Sequence, residues 1–175
     1  MYKVAVLIIT IATAVTAGTV NLVFEGAGIT PVGGWGENLS NGLSGGLYGN
    51  WLFTEKLRAG LGIDGAIFAD ANQGSASFSQ LKPMADVVFY FRPGGTIFNP
   101  GLSAGFGYCR SRLASGSGID PESWDLFWRA GLRWNFSLGS PWRAGLGLDL
   151  ESVMASEKSG DAFRLTFGVS REVKL

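Results

Sequence analysis

Strict alternation of apolar and polar residues predicts an all-β fold, an eight-stranded antiparallel up-and-down transmembrane β-barrel. Three observations lead there. Along successive segments every second residue is apolar, and the strip so formed carries no charge. In 141–151, Trp142, Ala144, Leu146, Leu148 and Leu150 alternate with Arg143, Gly145, Gly147, Asp149 and Glu151. The second face is small or charged, as expected of a strand with lipid on one side and a polar lumen on the other. Third, short and long connections alternate along the chain, the asymmetry of barrels with tight turns at one membrane face and loops at the other.

The N-terminus is set apart. Met1-Tyr2-Lys3 precedes an apolar run from Val4 to Val15, and Val15-Thr16-Ala17 supplies small residues before a cut after Ala17. This predicts a secretory signal peptide over 1–17. The run is shorter than the ~20 residues a spanning helix needs. No cysteine follows the cut, so lipid attachment to a new N-terminal Cys is excluded. The barrel domain is expected over 18–175.

The elements follow in order. The first strand, near 22–31, leaves its faces open: Phe24, Gly26 and Gly28 share one side and Glu25 the other. The second, 42–53, turns Leu43, Leu47, Trp51 and Phe53 outward and ends at a tight link around Thr54-Glu55. The third, 56–68, presents Leu57, Ala59, Leu61, Ile63 and Ile67; the fourth, 78–92, presents Leu81, Ala85, Val87, Phe89 and Phe91 and ends at Pro93-Gly94-Gly95-Thr96. The fifth, 98–110, gives Leu102, Ala104, Phe106 and Tyr108. The sixth, 124–137, gives Leu126, Trp128, Ala130, Leu132, Trp134 and Phe136 and ends at Gly139-Ser140, closed by Pro141. The seventh, 141–152, is described above, and the eighth, 162–174, gives Phe163, Leu165, Phe167 and Val169. These short links hold residues with the backbone freedom or restriction that a reversal needs. The other links, 32–41, 69–77, 114–123 and 156–161, are longer and polar. Pro83 falls inside the fourth strand, where it cannot donate to a ladder, and predicts a β-bulge.

The opposite parity predicts a polar network in the lumen: Glu25, Arg58, Asp64, Lys82, Asp86, Asp125, Arg129, Arg133, Arg143, Asp149, Glu151 and Arg164. Glycines between them leave room for the long side chains. Aromatics fall at strand ends, where amphipathic rings prefer the headgroup level. Trp51, Phe53, Phe89, Phe91, Trp134, Phe136 and Trp142 are expected to form a girdle beside the short turns, joined by Phe98. Phe68, Phe78, Tyr108, Trp124 and Phe163 are expected to form a second one beside the long loops.

Composition narrows the function. Charged residues are 16% of the chain and formal net charge is zero, so nothing points to nucleic acid. Histidine is absent, which excludes Ser-His and Cys-His nucleophile pairs and His-based metal sites for this chain acting alone. The lone Cys109 can form no intramolecular disulfide, and its inward parity suits a small buried filler. No cofactor or metal is implied. Asp149 and Glu151 share one face and invite an acid–base reading, against a salt-bridge network with Arg129, Arg133, Arg143 and Arg164. Gly105-Phe106-Gly107 lacks the strand–helix surroundings of a nucleotide cradle.

With these residues in view, the chain from 18 to 175 resembles the small outer-membrane barrels of the OmpA/OmpX/OmpW type. The last strand, Phe163-Arg164-Leu165-Thr166-Phe167-Gly168-Val169, is similar to the alternating C-terminal signal recognised by barrel-assembly machinery, although the final residue is Leu175 where that family commonly has Phe, and Arg171 interrupts the apolar row. The resemblance implies a bacterial outer-membrane location with both termini periplasmic, contact with outer-membrane lipid, and a non-enzymatic role in envelope integrity or surface interaction through the outer loops. Two alternatives stay open: a small-solute channel, and a secreted lipocalin-like binder of an apolar ligand, which would bury the apolar face and expose the charges.

Overall fold

The computed structural model describes residues 18–70, 77–93, 97–114, 122–154 and 160–175. Its strands are β1 (Thr19–Val32), β2 (Leu39–Leu52), β3 (Leu57–Asp70), β4 (Ser77–Tyr90), β5 (Phe98–Ala114), β6 (Glu122–Gly139), β7 (Trp142–Met154) and β8 (Gly160–Lys174), with a 3-10 turn at Gly33–Trp35. Each pairs antiparallel with its neighbour in sequence, and β1 pairs with β8 from Thr19↔Lys174 to Val32↔Asp161, which closes the barrel. Every predicted strand is present. β5 and β6 run further than expected, to Ala114 and from Glu122. The predicted signal peptide 1–17, and most of the links at 69–77, 114–123 and 156–161, lie outside the described residues.

One end of the barrel, the terminal end, carries Gly18, Leu175 and the links 53–56, 91–97 and 140–141. Local chemistry shapes these turns. Thr54 Oγ1 accepts hydrogen bonds from the backbone N–H groups of Lys56 (3.2 Å) and Leu57 (2.9 Å), while the N–H of Phe53 bonds to the carbonyl of Leu57. Gly139 adopts φ +102°, a conformation that suits glycine, ahead of the cis Ser140–Pro141 bond. The expected alternation of link length is incomplete. The 91–97 link is no shorter than the one at 115–121, and Asn99 fills it by bonding to the backbone of Arg92.

The period of two sorts side chains as expected. Leu165 is 52% exposed on the outer wall, whereas Arg164 beside it is 1% exposed. The first strand joins the pattern, with Leu22, Phe24, Gly26 and Gly28 outward and Glu25 inward. The exterior is a band of exposed Leu, Ile, Val and Phe, and the charged side chains of the strand midsections are sealed inside. That orientation is the reverse of what a soluble lipocalin-like binder needs, so this alternative is set aside.

Two expectations are corrected. Pro83 makes no bulge. The β3 ladder runs unbroken through Ile63↔Pro83. On the β5 side pairing stops at Leu81↔Arg110 and resumes at Met84↔Gly107 in the same register. The proline costs ladder contacts on that side without adding a residue. Gly107 lets the strands draw together there, since a Cβ on it would lie 2.8 Å from Met84 Cα. Register shifts fall instead between Leu39 and Gly42 and between Ser137 and Gly139. Second, Phe68 and Phe78 do not join an outer aromatic belt. Both point into the barrel mouth and pack against Trp35, at centroid distances of 6.4 and 5.8 Å.

The outward row Leu132–Leu148–Leu165 crosses β6, β7 and β8 at mid-height. Leu148→Arg puts a charge there and is expected to cost about 2–4 kcal/mol of barrel stability in lipid. Urea-induced unfolding of vesicle-reconstituted protein measures the loss, and an unchanged midpoint would contradict a lipid-facing position.

Candidate functional site

Among the described residues it is the polar lumen that gathers chemistry, and it is built in layers. At mid-height Asp64 of β3, Lys82 of β4, Glu151 of β7 and Arg164 of β8 form a fully buried cluster. Arg164 crosses the lumen to grip Asp64 through both carboxylate oxygens (Nη2–Oδ2 2.8 Å, Nη1–Oδ1 3.1 Å), and its Nη1 also reaches Glu151 Oε2 at 3.2 Å. Lys82 Nζ donates to Glu151 Oε1 and to Gln80 Oε1, and lies 3.9 Å from Asp64 Oδ1. Two acids face two bases, so the cluster is neutral. Bidentate geometry and added hydrogen bonds offset the desolvation that makes buried ions costly.

Tyr48 of β2 extends this layer. Its hydroxyl donates to Asp64 Oδ2 (3.1 Å) and accepts from Arg129 Nη1 (3.3 Å), and the Arg129 guanidinium stands 5.5 Å over its ring. The ring fits only because Gly46 and Gly62 flank it; a Cβ on Gly46 would lie 2.7 Å from the Tyr48 hydroxyl. One step toward the terminal end, Arg133 donates to Thr166 Oγ1 (2.6 Å) and Ser103 Oγ (3.2 Å). It pairs with Asp149 at 3.1 Å and Glu25 at 3.5 Å. Lowest of all, Arg58 and Arg143 share Glu172 Oε1 at 3.3 and 3.2 Å, and Arg58 lies 5.2 Å over the Tyr90 ring.

Asp149 and Glu151, the pair that invited an acid–base reading, are drawn to different cations and are both 1% exposed. Asp86 stands apart, held by Asn50 Nδ2 at 3.4 Å. Asp125 lies nearer the far end, where Ser123 Oγ donates to it at 2.8 Å. Two members went unnoticed in the sequence. Tyr48 and Glu172 both carry inward parity, Tyr48 with Ser44 and Gly46, Glu172 with Arg164 and Gly168, and that parity was the signal available.

Toward the far end the lumen turns apolar. Met84, Cys109, Phe127 and Val153 pack with Tyr48 above the ions, and Cys109 Sγ lies 3.5 Å from Ser111 Oγ. Higher still, Ile29, Ala66, Phe68 and Ala162 form a cap with Leu39 and Phe78 against it. Trp35, carried on the 3-10 turn, drops into this mouth over Gly160, where any Cβ would overlap its indole. Toward the terminal end a cavity of about 50 Å³ is lined by Asn21, Glu25, Asn50, Arg58, Asp86 and Arg133 among others. Asn21 Oδ1, Asn50 Oδ1 and Arg58 Nε are buried there without a protein partner. A polar cavity of that size takes a few water molecules. Among the described residues no group of three or more metal-ligating side chains converges.

The girdle residues Trp51, Phe53, Phe89, Phe91, Trp134, Phe136 and Trp142 lie on the outer wall near the terminal end. Phe89 and Phe91 stand 6.1 Å apart, and Phe98 packs on Phe136 at 5.4 Å.

No protein-family model matches the chain, and no curated protein matches it in sequence. Solved structures share the fold. The Neisserial surface protein A is similar over 89% of this chain and 99% of its own, with a TM-score of 0.73 at 14% identity. OprG, an outer membrane protein of Pseudomonas aeruginosa, matches with a TM-score of 0.58 at 15% identity, covering 91% of this chain and 97% of its own. Ail, the attachment invasion locus protein of Yersinia pestis, matches with a TM-score of 0.55 at 11% identity, over 90% of this chain and all (100%) of its own. The chain therefore has the fold of the small eight-stranded outer-membrane barrels.

Removing one partner of the central cluster strands a buried charge. Arg164→Ala is expected to destabilise the barrel by about 3–5 kcal/mol, read as a lower urea midpoint. Tyr48→Phe, which takes away only the hydroxyl between Arg129 and Asp64, is expected to cost about 1–3 kcal/mol. Equal midpoints for both variants and the wild type would remove the cluster from any role in holding the barrel.

Proposed function

We propose that this protein is a non-enzymatic barrel of a bacterial outer membrane, exported by the 1–17 signal, inserted by barrel-assembly machinery and held with both termini in the periplasm. Its task is structural, in envelope integrity, or interactive, through the far-end loops on the cell surface. The observation that carries this is the sealed lumen under an apolar exterior. The ionic layer, the apolar layer above it and the Trp35–Phe68–Phe78 cap stand one behind another across a bore that eight strands already make narrow. A barrel closed in this way offers partners its rims and loops and not its interior. The polar network is proposed to be a strut that holds opposite walls together, and the terminal-end aromatics a girdle at the headgroup level. The absence of histidine and the capture of Asp149 and Glu151 by cations speak against catalysis, and the three closing layers speak against a small-solute channel.

Two measurements test this. In planar bilayers the purified protein is expected to give no conductance steps, while regular voltage-independent steps would revive the channel. An epitope inserted in 115–121 is expected to be reached by antibody on intact cells. A tag reached only after the outer membrane is broken would reverse the orientation.

A further inference from the structure

The rim of the terminal end is cationic, and nothing in the lumen network accounts for it. Lys56 in the β2–β3 turn, Arg92 after β4, and Arg171 and Lys174 on β8 are exposed there. Among the described residues of this rim Glu55 is the exposed acidic side chain, since Glu172 is engaged inside by Arg58 and Arg143. Even with the carboxylate of Leu175 counted, cations are in excess. Among the described residues the far end has the opposite balance: Glu37, Glu122, Asp125 and Asp161 outnumber Arg110 and Arg112, and Arg110 is tied to Glu122 at 2.7 Å. Among the described residues the two rims thus carry opposite net charge along the barrel axis.

The basic rim is also built at a particular height. Arg171 points outward, in the row of Phe167 and Val169, and its guanidinium lies 5.3 Å over the Trp142 ring. Arg92 Nη1 donates to the carbonyl of Phe98, the ring that packs on Phe136. The cations thus sit on or just beyond the aromatics, where headgroup phosphates meet the acyl region. They are spread over the β2–β3, β4–β5 and β8 sectors of the ring, a layout that suits many small anions around the barrel better than one ligand.

We propose that this rim selects anionic phospholipid headgroups, those of phosphatidylglycerol type, as an annular shell around the terminal end. The chemistry is phosphate recognition by exposed guanidinium and ammonium groups, with no ammonium within the lipid headgroup to neutralise the phosphate. The proposal rests on the reading of the chain as a membrane barrel but not on which end faces the periplasm.

Native mass spectrometry of the detergent-solubilised, folded full chain tests it, with phosphatidylglycerol or phosphatidylethanolamine of matched acyl chains added. Phosphatidylglycerol is expected to be retained several-fold more, with the preference falling as ionic strength rises. The double variant Arg171→Gln, Lys174→Gln is expected to remove most of that several-fold preference, since one rim cation alone is worth roughly five-fold. Arg110→Gln at the far end is expected to leave it unchanged. Equal retention of the two lipids by the wild type, or loss of the preference in Arg110→Gln as much as in the double variant, would overturn the proposal. So would a preference indifferent to salt. Because detergent has no sides, an inverted orientation in cells would leave this result untouched, so the two readings fail separately.

Discussion

Hydrocarbon offers no hydrogen bonds, so every backbone N–H and C=O inside a bilayer has to find its partner within the protein. Closure of β1 on β8 meets that demand, and the rest of the molecule is arranged around it. Once the ring is closed at eight strands, its radius and the inward direction of alternate residues leave a bore only wide enough for side chains. Whatever points inward is removed from both lipid and bulk water. The chain has filled that space with ions, and the ions have to balance locally because each is too deeply buried to be screened.

The filling is graded along the axis. Cross-barrel contacts such as Arg164 to Asp64 tie β8 to β3, walls that share no ladder. Above them the lining becomes apolar and ends in an aromatic cap. Below them it stays polar and keeps a small cavity with unpaired amide oxygens. The strut and the cap do different physical work. The first resists separation of the walls, because pulling it apart exposes charges to a poor solvent. The second shuts the far mouth with side chains that gain nothing from opening to water. A barrel with this interior is braced across its bore and leaves its rims as the accessible polar surfaces. The division of charge between those rims makes them chemically distinct surfaces on an otherwise uniform cylinder.

Much of this was legible in the residues because a strand has a period of two and lipid tolerates no charge. Leu148 beside Asp149, or Leu165 beside Arg164, can be sorted to opposite faces from local order alone. The twelve inward charges follow from the same parity. Phe68 and Phe78 resemble belt residues by their place at strand ends, but they share the parity of Asp64 and Lys82, and that parity turns them into the barrel mouth. The same parity places Tyr48 and Glu172 inside. Pro83 predicts a bulge, but the ladder instead gives up its pairing at 82–83 on the β5 side and keeps its register, with Gly107 leaving room for the backbones to draw together.

The sequence by itself therefore determined the strands, the closed all-β architecture and which face of each strand is greasy, since these depend on neighbours a few residues apart. Only the tertiary structure decided which acid meets which base. Arg164 had several inward carboxylates to choose from, and its choice of Asp64 depends on barrel radius, strand stagger and the space left beside Tyr48. Those quantities come into being when the ring shuts, because they are distances across the bore between residues far apart along the chain.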